Sequence, residues 1–129
     1  MPAPAPDSFS YAVIRVVPDI ERGESINAGV ILFARQRGFM AARVALDESR
    51  LRALAPSLSP EDVLPHLDAI VRIAAGDAGA GPVAALSQSE RFGWLVAPAS
   101  AIIQPSPVHT GFCSDPAETL DELFARLVG

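Results

Sequence analysis

Phe9-Ser10-Tyr11-Ala12-Val13-Ile14-Arg15-Val16-Val17 is the stretch on which the fold turns. β-Branched and aromatic residues dominate it, no breaker interrupts it, and Pro18 stops it. That composition predicts a strand buried over most of both faces. Residues 18–24 follow with Asp19, Glu21, Arg22 and Glu24 among turn formers, and read as a loop. Residues 25–34 predict a second strand, where Gly29 marks a bulge or a close backbone approach. Arg35-Gln36-Arg37-Gly38 supplies a hairpin turn, and residues 39–45 return as a third strand. The simplest arrangement is a three-stranded antiparallel meander.

Beyond the meander the period changes from two to that of a helix. Asp47 is placed to cap a short helix ended by Pro56, with Leu46 and Leu51 at staple spacing. Ser59-Pro60-Glu61-Asp62 opens a second helix, whose apolar stripe is Val63, Leu67, Ile70, Val71 and Ala74. Pro65 would break a helix running from Pro60, so the continuous helix is expected from Pro65, after a single turn. Residues 76–82 read as a flexible connection. Residues 92–97 and 101–104 predict short strands around Pro98, and residues 105–111 irregular chain. Asp115, Pro116 and Glu118 start a last helix with Leu120, Leu123, Phe124, Leu127 and Val128 on its apolar side. The expected class is α+β: an antiparallel sheet of about 3–5 strands packed with about three helices. A Pro/Ala leader is expected over residues 1–8 and one domain over 9–129.

Composition narrows the function classes. The chain has 129 residues, half of them apolar, which suits one buried core. No apolar run reaches membrane-spanning length, the first residues lack a signal-peptide pattern, and Cys113 is alone, so the cytosol is the expected compartment. Net charge is −5, and every basic residue is Arg. Residues 9–52 hold seven Arg against five acids, while residues 53–129 hold three against nine. An acidic chain repels phosphate, so nucleic-acid binding would need a local patch from Arg22, Arg35, Arg37 and Arg43.

No motif declares a chemistry. Gly76, Gly79 and Gly81 follow a helix rather than a strand and lack phosphate-loop spacing. His109 and Cys113 cannot close a metal site, and Asp115 opposes a thiolate there. Asp47/Glu48 and Glu61/Asp62 sit at helix starts, and Asp121/Glu122 on an exposed helix face. No catalytic residue, metal or cofactor is therefore assigned. The informative groups are polar residues set into strands. Arg15 and Asn27 need partners, because a buried charge left without one costs about 3–5 kcal/mol, and Glu24 is the natural acid for Arg15. Together these three form either a structural network or a small pocket offering donors to an anion or a partner's carboxylate. Arg91, Gln104, Ser106 and His109, in or beside the Pro-braced C-terminal stretch, complete the candidate set.

Tyr11-x3-Arg15-x2-Pro18, Gly23-Glu24-x2-Asn27-x-Gly29-Val30, Arg91-Phe92-x-Trp94, Gln104-x-Ser106-x2-His109-x-Gly111 and Asp115-Pro116 carry a resemblance. Over nearly the whole chain, from Phe9 to Val128, it resembles the uncharacterised bacterial domain of unknown function family 3037. Its first two blocks are the most specific. The resemblance implies no activity and no cofactor. It does imply a partner, a kinase-like protein of the toxin–antitoxin type encoded nearby. The expectation is a non-enzymatic accessory or protein-interaction domain. The alternative is a small enzyme or ligand-binding domain using Arg15, Glu24, Asn27, Arg91 and His109.

Overall fold

A computed structural model describes residues 6–99 and 101–129. Strands β1 (Asp7–Val16), β2 (Ile26–Ala34) and β3 (Phe39–Val44) form the antiparallel meander. Gly38, at φ 59°, closes the turn between β2 and β3 after one 3-10 turn at Arg35–Arg37. Helices α1 (Glu48–Leu54), α2 (Leu64–Ala74) and α3 (Gln88–Leu95) follow, then β4 (Ile103–Pro105), β5 (His109–Cys113) and α4 (Pro116–Leu127). The sheet order is β3-β2-β1, with β4 and β5 lying one after the other along the outer edge of β1. All pairings are antiparallel, so the class is α+β.

Several local expectations hold for the stated reasons. Asp47 accepts the Arg50 N–H at 3.0 Å and caps α1. Pro60–Asp62 is a separate 3-10 turn with a Ser59/Asp62 capping box, and α2 starts afresh beside Pro65. Asp115 accepts the Glu118 N–H and caps α4. β1 begins at Asp7, so the expected leader would stop at Pro6 rather than Ser8; its residues 1–5 lie outside the described ones.

Three expectations are corrected. Residues 92–95 are helical, not a strand: Phe92 and Trp94 lie in α3, which raises the helix count to four. Ser87 accepts the Glu90 N–H at 3.2 Å, and its hydroxyl donates to the Glu90 carboxylate at 2.9 Å. This cap outweighs the strand preference of the aromatics. Residues 109–111 belong to β5, although the prolines before them argued for irregular chain. Residues 78–85 are two 3-10 turns rather than a loose connection. Asp77 pins the first by accepting from Gly79 N and Arg72 Nε, both at 2.9 Å, and these donors hold its carboxyl below the ordinary range.

The sheet has two unlike faces. Ala12, Ile14, Val16, Ile26, Ala28, Ile31 and Met40 meet Leu51, Leu67, Ala74 and Phe92 from the first three helices and Val63 just before α2. On the other face Phe9, Val30, Leu32, Ala34 and Cys113 meet Leu120 and Leu123 of α4. A bulge in β2 changes which residues fall on which face. Ile14 stands opposite Gly29 but Arg15 opposite Asn27, leaving Ala28 as the extra residue. Past the bulge Ile26 and Ala28 join the three-helix core, and Asn27 turns to the α4 face. Gly29 is required beside it: a Cβ there would come within 2.8 Å of Val44 Cγ1 and 2.9 Å of the Arg43 carbonyl oxygen.

Candidate functional site

The register assembles three of the seven candidate residues in one row. Arg15 is paired with Asn27 on one side and Gln104 on the other. Directly opposed residues share a face, so all three side chains stand on the α4 side. α4 lies over β2 and β3, and toward β4 and β5 its cover runs out. Arg15, Asn27 and Gln104 are half-buried there, and His109 is exposed.

Asn27 Nδ2 donates to the Leu127 carbonyl at 3.1 Å, satisfying one of the free carbonyls at the end of α4. Gln104 Nε2 donates to the Ala101 carbonyl at 2.9 Å. Arg15 does not pair with Glu24, which corrects that expectation. Arg15 stands on β1, whereas Glu24 lies in the loop beyond Pro18, where Arg22 Nε reaches it at 2.6 Å. A neighbour two residues away on the same loop wins over a group across the sheet. No acidic side chain among the described residues pairs with Arg15. Its strand position adjoins the carbonyl end of α4, whose partial negative charge favours a cation there. On the same face His109 stands opposite Tyr11, with ring centroids 5.2 Å apart.

Ser106 is a structural residue. It is 2 % exposed, accepts the Val13 N–H on Oγ at 2.8 Å and donates from Oγ to the Pro107 carbonyl at 2.9 Å. Its own N–H donates to the Val13 carbonyl at 2.8 Å. Residues 106–108 face only Val13 and Ala12, so this edge also holds a bulge, and the hydroxyl replaces the missing ladder bond. Arg91 belongs to the helical layer: its Nη1 donates to the Leu86 carbonyl at 2.6 Å, and its guanidinium lies beside Gly76. Arg91 Nε is buried and has no hydrogen-bond partner among the described residues. Glu24 lines an open cavity of about 550 Å³ between residues 18–24 and the end of α1, which includes neither Asn27 nor His109. The candidate set therefore splits into a row with Tyr11 and His109 further along the same face, a bulge plug, a loop ion pair and a helix brace.

The family model described as "Protein of unknown function (DUF3037)" matches residues 11–128. The chain belongs to this family. The match to family 3037 begins at Tyr11 and ends at Val128, so it encloses the row, the bulge plug and α4. Neither the curated proteins nor the solved structures include a match.

Sequence reasoning missed two features of this family 3037 chain. An apolar cavity of about 490 Å³ lies between α2, the end of α3 and residues 97–99 and 101–105, with Ile70, Ile73, Ile102 and Ile103 among its walls and Trp94, 55 % exposed, at its side. Phe112 on β5 is 76 % exposed. Both depend on tertiary placement that no local pattern carries. Among the described residues no helix is long and apolar enough to cross a membrane, and no group of three metal-ligating side chains gathers.

Proposed function

We propose that this chain is a non-enzymatic accessory domain that binds another protein, and that it does so with the Asn27–Arg15–Gln104 row. The observation that carries this is Arg15, half-buried, which pairs with no acidic side chain among the described residues and is flanked in register by two amides. A planar fork of donors matches a carboxylate two atoms at a time. The partner is accordingly one that presents an acidic side chain or a chain-terminal carboxylate. The row stands where α4 stops covering the sheet, so a partner's surface can reach it. The family resemblance makes a kinase-like protein of the toxin–antitoxin type the first partner to try. The enzymatic alternative loses support because Glu24, Asn27 and His109 do not share one concavity and the first two already hold partners.

The test is co-expression with a kinase-like protein of the toxin–antitoxin type, followed by affinity capture and size-exclusion chromatography. The two chains should co-elute, and Arg15→Glu should weaken the complex by about tenfold or more while lowering the melt of the isolated domain only slightly, through repulsion of the new carboxylate by the carbonyl end of α4. Recovery of the domain alone, or a complex indifferent to Arg15→Glu, overturns the reading.

A further inference from the structure

The outer edge of the sheet changes character between β4 and β5. Hydrogen bonds fix which backbone groups point away from β1. Val17 N–H donates to the Ile102 carbonyl, and Ser106 N–H donates to that of Val13, so odd-numbered residues of β1 bond toward this edge. The antiparallel alternation then gives His109, Gly111 and Cys113 the inward bonds. The N–H and C=O groups of Thr110 and Phe112 point outward, away from the sheet. In β4 the outward position next to the bulge is Pro105, which has no donor, and Pro107 follows in the bulge. Prolines and a bulge protect a sheet edge against pairing. β5 carries neither protection: His109–Cys113 contains no proline and no Asp, Glu, Lys or Arg, and its Phe112 side chain is the most exposed large apolar group described. The opposite edge strand, β3, carries Arg43, which pairs with Asp121 and lies over the Phe124 ring.

We infer that β5 is the site of a symmetric dimer, in which it pairs antiparallel with β5 of a second copy of this chain. A two-fold axis at Gly111 places Thr110 opposite Phe112 of the other copy, twice. All the outward N–H and C=O groups of both residues are then satisfied, in four backbone hydrogen bonds. The two Gly111 residues form the close, non-hydrogen-bonded pair at the centre; within each copy a Cβ at Gly111 would already come within 2.8 Å of the Phe9 ring. Each Phe112 ring lies beside Thr110 of the other copy and diagonal to the other Phe112, within reach of an aromatic pair. The segment is free of acids, so the net negative charge of the chain is not concentrated at the seam. Such a contact is isologous and closed, and it joins two five-stranded sheets into one.

Sedimentation equilibrium of the full chain across a concentration series tests this, together with amide hydrogen exchange. The mass should rise from 13.5 kDa toward twice that value. The Thr110 and Phe112 amides should exchange freely in dilute solution and become protected as the mass rises. Thr110→Pro removes an outward donor that the monomer's own ladder does not use, and it should hold the chain at the monomer mass. Phe112→Asp, a substitution at an exposed side chain, should do the same if Thr110→Pro folds poorly. A wild-type chain that stays monomeric at every concentration overturns the inference. So does a dimer that survives Phe112→Asp unchanged, or one that leaves the Thr110 and Phe112 amides unprotected; an edge that takes only a different protein's strand gives the first of these results.

Discussion

The two faces of the sheet are made from alternate residues of the same strands, yet they are finished differently. On one face Ala12, Ile14 and Val16 meet three helices, and β1 presents no charged side chain there. On the other, Phe9 and its neighbours meet α4 alone, and Arg15 interrupts the apolar series between buried Val13 and Val17. The difference lies in how far each helical layer extends. The three-helix layer and the residues after it run out over β4, where Ile102 and Ile103 pack against the core. α4 ends at Leu127, beside Asn27, and supplies carbonyls rather than methyl groups at that point. A sheet face without a helix over it holds polar side chains at little cost, because water and helix-end dipoles solvate them. One face thus specifies the fold, and the end of the other carries the row proposed above as the recognition surface.

The largest expected effect belongs to the covered face. Leu67 is 1 % exposed at its centre. Leu67→Ala should cost about 2–5 kcal/mol, read as a lower urea midpoint with an unchanged slope. A loss well under that would mean the three-helix layer is loose enough to collapse into the gap, and the contrast between the faces would weaken.

The boundary should respond less. Asn27→Ala removes the donor to the Leu127 carbonyl, one hydrogen bond at a helix end, for about 0.5–1.5 kcal/mol. Its signature should be local. Amides in the last turn of α4 should exchange faster, while those of α2 stay unchanged. Uniform loosening of both helices would show that Asn27 supports the whole sheet rather than the end of α4.

Much of this contrast was legible in the amino-acid sequence. Arg15 and Asn27 stood out as polar breaks in apolar strands, and Gly29 announced an irregularity. What the irregularity does could not be read, because the flip of Asn27 to the α4 side depends on pairing with β1. The Arg15–Glu24 pair failed for a related reason: sequence distance does not say which face a strand residue occupies, and Arg22 stands closer to Glu24. α3 was legible in principle, since Ser87 and Glu90 have capping-box spacing, but the aromatics after them suggested a strand. β5 was hidden by Pro105 and Pro107. Pro105 is harmless because its nitrogen faces away from β1, and Pro107 because it sits in the bulge that Ser106 closes.

The smallest expected effect on stability is also the sharpest test of the division. Arg15→Met keeps the length of the side chain and its packing along the sheet while deleting the charge. No carboxylate is orphaned by the change, because Glu24 is held by Arg22 and Asp7 by Arg37. The loss of attraction to the carbonyl end of α4 is offset by the apolar contact that Met gains beside Val13. Stability should therefore move by no more than about 0.5 kcal/mol, in contrast to the Leu67 variant. Capture of the carboxylate-bearing partner should nevertheless fall with Arg15→Met as it does with Arg15→Glu. A stability loss of about 2 kcal/mol or more, in the range expected of a buried polar group that holds the structure together, would make Arg15 a brace of the sheet. The α4 face would then differ from the other only in composition, and not in purpose.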